Sequence, residues 1–236
     1  LFTSINIIDL TDDFIVIEKP SGLLTHPVDA HDKTSTLAEW VTTQYPEIKN
    51  VGDDALRPGI IHRLDKEVSG LMLIARTQSA FDYFKQQFTD RLIKKEYTAL
   101  AHGVLEKSHD TINFRVTRSK RTGAMASLPV SSSEGKEAAT EYDVRQKYTH
   151  ATLVSVFPLT GRTHQIRVHF FAINHPLVGD PLYKSSTNSN ALDSHVSRIF
   201  LHSTHLTFTN PYGETHTYSS PLPPELQECL NNLTKT

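Results

Sequence analysis

Hydrophobic positions in the sequence are grouped in short segments that predict a mixture of strands and helices. Runs of β-branched and aromatic residues bounded by glycine, proline or charged residues are typical of strands. Such runs occupy residues 14–24, 70–77, 92–103, 141–148, 151–159 and, as a hairpin pattern, 201–220. In residues 92–103 the alternation of hydrophobic and polar positions indicates a half-buried strand with Tyr97 near its middle.

Capping patterns and helical spacing predict four helices. Thr36 and Glu39 form a capping box ahead of the sequence LAEWVTTQY, so a short helix is expected there. The other three are predicted at residues 77–91, from about Thr163, and at 223–233.

Two of these helices have a recognisable apolar face. One carries three phenylalanines at helical spacing: Phe81, Phe84 and Phe88. Rings at this spacing normally face the protein interior, so a core role is favoured over base stacking. The helix near Thr163 would place Ile166, Phe170 and Ile173 in the core and leave Arg167 free to project elsewhere.

Residues 104–137 are polar and mixed, and predict a mobile hairpin or loop. A basic cluster lies inside this segment, at Arg115, Arg118, Lys120 and Arg121. Such a cluster is either a solvated face or a contact surface for phosphates.

The composition is that of an ordinary soluble globular protein. With 236 residues, 38% of them hydrophobic, and no visible repeat or long linker, a single domain over residues 1–236 is expected. The single cysteine, Cys229, argues against a disulfide framework and indicates a reducing, cytoplasmic location. No apolar run approaches the roughly 20 residues that cross a bilayer, so no membrane association is expected. The net charge of −2 is a weak argument against nucleic acid, because local patches decide such binding.

The segment GIIHRLDKEVSG, residues 59–70, is the main candidate for a functional site. It places His62, Arg63 and Asp65 between two apolar runs, where charge is costly unless it has a purpose. Taken alone, the RLD tripeptide also fits a structural ion pair or a turn. A partly buried carboxylate needs a nearby cation to stay ionised, and a second dense motif, TGRTHQIRVHFFAINHPLVGDPLY, supplies Arg162 and Arg167.

Other chemistries have less support from the residues. Several histidines could suggest zinc: His62, His164, His169, His175, His202 and His205. However, there is no HExxH motif, and the spacing of five between His164 and His169 places them on different helix faces. A Ser/His/Asp hydrolase lacks its GxSxG elbow, and no glycine-rich nucleotide loop is present. A carboxylate, a tyrosine and arginines remain, with neither metal nor cofactor expected.

The motifs resemble those of the RluA-type pseudouridine synthases. Five segments match in order along nearly the whole chain: KPSGLLTHP, HRLDKEVSGLMLIART, KKEYTALAHG, TGRTHQIRVHFFAINHPLVGDPLY and LHSTHLTF. The resemblance implies an α+β pseudouridine synthase catalytic domain, in which a long, mostly antiparallel mixed sheet is flanked by helices and crossed by a central active cleft. It also implies an RNA substrate and an isomerisation of uridine that needs no cofactor.

The resemblance also implies roles for individual residues. Asp65 would be the catalytic aspartate, Tyr97 would pack on the target base and handle the proton at C5, and Arg167 would pair with the aspartate. Arg63 would enter the RNA stack where the uridine flips out. Other residues would line the cleft and bind substrate: His62, Lys19, Arg162, Thr163, His164 and Gln165. A helix N-terminus at residues 163–166 would suit a phosphate, although ordinary capping explains the same residues. With these motifs in place, RNA contact becomes the favoured interpretation of the basic cluster in residues 115–121.

The residues of the motifs most resemble those of the branch that acts on large-subunit ribosomal RNA. Related minimal enzymes modify transfer RNA, so that substrate stays as an alternative. Many members carry an RNA-binding domain ahead of the catalytic one, whereas this chain starts almost at the KPSG strand, so either a minimal member or a truncated one is expected. A monomer is expected as well. The competing hypotheses are a catalytically silent RNA-binding protein of the same fold and an unrelated carboxylate hydrolase.

Overall fold

The computed structural model of the protein describes residues 5–27, 29, 31–32, 34–184 and 190–236. The strands are β1 (Asn6–Leu10), β2 (Phe14–Lys19), β3 (Ser69–Ala75), β4 (Lys94–His102), β5 (His109–Arg118), β6 (Met125–Leu128), β7 (Lys136–Tyr148), β8 (Ala151–Pro158), β9 (Leu201–Thr209) and β10 (Thr215–Ser219). The helices are α1 (Leu37–Gln44), α2 (Gln78–Thr89), α3 (Gln165–Ala172), α4 (Asn190–Asp193) and α5 (Pro224–Asn231), with a 3₁₀ turn at Pro46–Asn50. The expected α+β class is confirmed.

The chain forms two compact units. The first contains residues 1–95 and 203–220, and the second contains residues 96–202 and 221–236. The expectation of a single domain therefore stays a prediction. None of the helices in the described part of the chain is long and apolar enough to span a membrane.

The first unit is a sheet in the order β1-β2-β3-β9-β10, and α2 covers it. Strands β2 and β3 are antiparallel and pair Phe14 with Ala75. All seven residues of β3 are buried, which explains its continuous apolar sequence. Phe14 meets Phe84 of α2 and Phe208 of β9 edge to face, with ring centroids 5.9 and 5.2 Å away.

Gly70 allows β3 and β9 to approach closely. Its φ is +117°, and a Cβ built there would lie 2.3 Å from the backbone oxygen of Ser203. Only glycine avoids that overlap and adopts that φ without strain. This tight contact lies five residues after Asp65, at the start of β3.

The second unit is an antiparallel sheet in the order β4-β8-β7-β5-β6, with α3 packed on it. Val168 of α3 belongs to a buried cluster with Val116, Ala138 and Tyr183. The helix expected near Thr163 is confirmed as α3, which begins at Gln165 and whose residues 165–170 are all buried.

Of the mobile hairpin or loop expected at residues 104–137, the hairpin is confirmed, because much of this segment forms the β5–β6 hairpin. Ile112 and Val116 of β5 are buried. Arg115 of the basic cluster donates to the backbone oxygens of Glu134 and Gly135, just before β7.

Candidate active site

Asp65 lies on a short irregular loop that leads into β3. Before the loop, Ile60 forms a bridge with Ile74 and the Gly59 oxygen accepts from the Ala75 amide. After it, the amide of Val68 donates to the backbone oxygen of Asp65 at 3.1 Å, which closes a turn. The aspartate is half-buried while Leu64 and Val68 on either side are buried. The apolar neighbours thus anchor the loop, while Asp65 between them keeps part of its surface accessible.

Lys19 supports the Asp65 loop from within the protein. Its side chain is fully buried, and its ammonium donates to the backbone oxygens of Pro20, Leu23 and Lys66 at 2.8, 2.8 and 3.3 Å. Three carbonyl acceptors compensate for the burial of this charge. In the structure Lys19 supports the loop, and its contact with substrate stays a prediction.

The segment that follows Lys19 holds the rest of the loop backbone. Three further hydrogen bonds connect the two: Ser21 Oγ to the Glu67 oxygen at 2.7 Å, the Gly22 amide to the Lys66 oxygen at 2.8 Å, and Thr25 Oγ1 to the Leu64 oxygen at 2.8 Å. The backbone on both sides of Asp65 is therefore fixed by residues 19–25. The KPSGLLTHP segment and the loop that begins with HRLD are therefore joined by hydrogen bonds.

His62 is held against β3 as a neutral ring. Its Nε2 accepts from the Leu73 amide at 2.9 Å, and its ring lies 4.8 Å from the ring of Phe88. Burial, with a smaller effect from the charge of Lys95, lowers the pKa of His62 to about 3. The half-buried ammonium of Lys95 lies 5.5 Å from the centroid of the Phe88 ring, and burial lowers its pKa to about 8. His62 is thus an acceptor that joins the loop to the strand.

The phenylalanine stripe of α2 is core at only two of its three positions. Phe81 and Phe84 are buried, as expected, but Phe88 is half-buried between His62 and Lys95. It therefore belongs to the surroundings of the site loop. Arg63, in contrast, is exposed.

In the second unit, Tyr97 lies on β4 opposite Val156 of β8 and is 7% exposed. It has little surface of its own to offer to water. The burial pattern of β4 becomes continuous only after this residue, which places Tyr97 at the transition from the outer to the buried part of the strand.

Arg167 is also buried, and is held by an aspartate that the sequence analysis did not consider. Its Nε and Nη2 donate to the two oxygens of Asp180, each at 2.8 Å, and both side chains are at most 1% exposed. The same carboxylate accepts from the amides of Leu182 and Tyr183. Arg167 therefore does not project freely, because a two-pronged ion pair orients its guanidinium.

Tyr183 links Arg167 to His164. The Arg167 guanidinium lies 5.2 Å from the centroid of the Tyr183 ring, and the Tyr183 hydroxyl is 2.9 Å from Nδ1 of His164. His164 precedes α3 with a φ of 54°, in the left-handed region, and its side chain makes no cap. The contact with Tyr183 holds the ring of a residue whose backbone is strained.

The turn before α3 is closed by Gln165, whose side chain is buried. Its amide nitrogen donates to Ala139 O and Thr140 Oγ1, and its Oε1 accepts from Thr160 Oγ1 and the Arg162 amide. These four bonds give the Gln165 side chain a structural role, and its contact with substrate stays a prediction.

Arg162 and Thr163, in the same turn, are half-buried. The Nε of Arg162 donates to the Glu137 oxygen at 3.1 Å, which ties the turn to the start of β7. The two positions predicted to bind substrate therefore lie on the turn that Gln165 closes.

The structure thus groups the predicted residues in two sets. Lys19, His62, Arg63 and Asp65 share the loop region of the first unit, and residues 162–167 share the α3 turn of the second. The sequence-based prediction did not include Asp180 and Tyr183. The HPLVGDPLY segment could have indicated them, because an apolar run there is followed by an acidic and an aromatic residue. Among the described residues, no group of three or more metal-binding side chains is close enough to hold a metal ion.

Comparison with known proteins confirms the resemblance drawn from the motifs. The family model for RNA pseudouridylate synthase matches residues 13–172. The chain is 33% identical over 226 residues to the uncharacterized RNA pseudouridine synthase YlyB of Bacillus subtilis, covering 94% of this chain and 71% of that protein. It is 35% identical over 237 residues to ribosomal large subunit pseudouridine synthase D of Neisseria meningitidis serogroup A, covering 98% of this chain but only 61% of that protein.

Two solved human structures share the fold. RNA pseudouridylate synthase domain containing 1 aligns with a TM-score of 0.76 and 26% identity, covering 99% of this chain and 89% of that one. Domain containing 4 aligns with a TM-score of 0.73 and 23% identity, over 96% and 92% of the two chains. Because the family model covers more than half of the chain and relatives above 30% identity span nearly all of it, this protein belongs to the RNA pseudouridylate synthase family, whose members are RNA-modifying isomerases.

Proposed function

We propose that the protein converts uridine to pseudouridine in large-subunit ribosomal RNA, with Asp65 as the catalytic carboxylate. The observation that carries the proposal is the Asp65 loop, whose backbone is fixed on both sides by residues 19–25 while Asp65 itself stays half-buried. A rigid loop lowers the entropic cost of placing a reacting group. The choice of RNA rests on relatives named ribosomal large subunit pseudouridine synthase D, at 35% to 37% identity.

The reaction is an isomerisation and balances without a cofactor. The bond between N1 of uracil and C1′ of ribose breaks, the base rotates while bound, and C5 bonds to C1′. The proton on C5 leaves and N1 gains one, so the composition of the RNA is unchanged. Asp65 assists the cleavage either as a nucleophile or as a base. The same carboxylate assists both the cleavage of the bond to N1 and the formation of the bond to C5.

Tyr97 and Arg167 supply the remaining roles in this proposal. The Tyr97 ring packs on the uracil and its hydroxyl handles the C5 proton, while Arg167 takes the role of the basic residue that the resemblance pairs with Asp65. The support for Arg167 is its fixed orientation, because Asp180 and Tyr183 hold the guanidinium rigidly.

RNA contact is proposed for the exposed basic residues. Arg63 enters the base stack at the position that the flipped uridine leaves, for which its exposure is suitable. Lys120 and Arg121, at the exposed tip of the β5–β6 hairpin, contact phosphates and position the RNA. We further expect the enzyme to act as a monomer in the cytoplasm.

The direct test compares wild type with Asp65→Asn on an unmodified transcript of large-subunit ribosomal RNA. Pseudouridine is mapped by carbodiimide treatment and primer extension, and binding is measured by filter retention. We expect wild type to modify defined uridines and Asp65→Asn to bind the transcript without forming product, because the substitution keeps the shape and removes the charge. Asp82→Asn, an exposed carboxylate on α2, is the control and should stay active.

The outcomes separate the competing hypotheses. Product formation by Asp65→Asn at the wild-type rate contradicts the role of Asp65. Binding without product by wild type itself indicates a silent RNA-binding protein. In a parallel reaction, the enzyme is given transfer RNA. If pseudouridine then forms in transfer RNA and none forms in ribosomal RNA, the proposed reaction stands but the proposed substrate is wrong.

A further inference from the structure

His26 contacts the side chain of Arg63. The Arg63 Nη1 lies 3.0 Å from Nε2 of His26, across 37 residues of sequence. Residues 19–25 hold the backbone of the site loop, whereas this contact holds the side chain that we propose enters the RNA. His26 is half-buried and Arg63 is exposed, so the contact lies at the surface beside the Asp65 loop.

The surroundings of His26 determine the direction of this hydrogen bond. Nδ1 of His26 lies 2.9 Å from the Pro27 carbonyl oxygen, which can only accept. Nδ1 must therefore carry the proton, and in a neutral ring this leaves Nε2 as an acceptor. A guanidinium can only donate, so both contacts of the imidazole are satisfied by this one tautomer.

Few other interactions hold the Arg63 side chain. Within the described part of the chain, His26 is its one hydrogen-bond partner. An arginine has five N–H donors, so the other donors stay available to an RNA base or phosphate. A long side chain with a single contact would otherwise occupy many rotamers, each of which is lost on binding. The bond to His26 restricts that freedom before the RNA arrives.

We propose that His26 is a positioning residue that preorganises Arg63 for insertion into the RNA base stack. The inference rests on the proposed function, because it assigns a partner to a residue already placed in RNA binding. It predicts that His26 acts only through Arg63. It also predicts that His26 matters most where a stacked uridine must be displaced.

The kinetic test is a double-mutant cycle on two transcripts that carry a uridine mapped on wild-type enzyme, one in a stem and one in an open loop. We expect His26→Phe, which keeps a ring but removes the acceptor, to lower kcat/KM on the stem by about fivefold, the effect of one ordinary hydrogen bond. The loss on the loop should be smaller, and His26→Phe should cause no further loss in an Arg63→Ala background. His26→Gln, whose amide oxygen accepts, should restore activity. His31→Ala, at an exposed histidine in the same segment, controls for loss of a ring.

A second measurement needs no RNA and separates this inference from the proposed function. The NMR order parameter of the Arg63 Nε–H bond should fall in His26→Phe and recover in His26→Gln. An unchanged order parameter, or equal losses from His26→Phe with and without Arg63, would overturn the role of His26. If wild type forms no pseudouridine on any transcript, the proposed function fails, and the order parameter still decides whether His26 holds Arg63.

Discussion

His169 should make the stability of the protein sensitive to mild acid. The side chain lies on α3, is completely buried, and within the described residues neither ring nitrogen has a hydrogen-bond partner. Its ring contacts that of Phe114 at 6.0 Å. Burial lowers the pKa of His169 to about 4, because an imidazolium there would lose its hydration. Replacing the ring with phenylalanine removes the titrating group.

The expected magnitude follows from the two pKa values of His169. The unfolded chain takes up the proton near pH 6.5, whereas the folded protein takes it up only near pH 4. Below pH 6.5 the unfolded state therefore binds more protons, and stability falls as the pH decreases toward 4. Linkage gives a loss of about 1.8 kcal/mol in the free energy of unfolding between pH 7 and pH 5. His62, with its pKa lowered to about 3, adds a loss of the same sign, so the variant keeps part of the dependence.

The measurement is urea denaturation at pH 7, 6 and 5, followed by far-ultraviolet circular dichroism. Circular dichroism is preferred because the single tryptophan, Trp40, lies in the first unit and His169 in the second. The quantity of interest is the difference between pH 7 and pH 5, so a change of packing in His169→Phe at neutral pH does not obscure it. His150→Phe, at an exposed position, shows whether loss of any histidine has the same effect. Equal pH dependence in wild type and His169→Phe would refute the reasoning.

Two further substitutions test one contact in each unit. Asp180→Asn leaves the buried Arg167 without its charged partner, and we expect a loss of about 3–5 kcal/mol in the free energy of unfolding, measured by urea denaturation. A loss below about 1 kcal/mol would contradict a buried ion pair. Gly70→Ala places a methyl group 2.3 Å from the backbone of Ser203, so we expect a loss of at least about 2 kcal/mol by the same method. Unchanged stability would show that β3 and β9 can separate, and alanine at the buried Ser203 serves as the matched control because it adds no atoms.

The secondary structure could be predicted where the hydrophobic period was strong. The capping box at Thr36 is confirmed, since its hydroxyl accepts from the Glu39 amide at 3.2 Å. The apolar run of β3 and the hairpin of β9 and β10 are also confirmed. For the segment that contains β5 the sequence predicted only a hairpin or a loop, because few of its residues are apolar. Pairing with strands that are distant in the sequence stabilises such a strand even where its own hydrophobic period is weak.

The candidate site was predictable in its location but less so in its contacts. Motif matching pointed to Asp65 and Arg167, whose catalytic roles stay predictions. It did not find that Asp180 holds Arg167, because buried ion pairs form between residues whose proximity arises only from the fold. Lys19 and Gln165 show the converse case. The resemblance implied contact with substrate, which stays a prediction, and in the structure both side chains are buried and engaged with carbonyl or hydroxyl groups.

The buried ammonium of Lys19 has a consequence for transferring this site to another scaffold. Residues 61–68, inserted alone, would carry the Lys66 oxygen without the donor that it meets here. A host protein would also need an extended strand ending in a lysine, followed by a turn that supplies the Pro20 and Leu23 oxygens to the same ammonium. The smallest portable unit is therefore two segments separated by about 40 residues, and divergence in one restricts the changes that the other can accept.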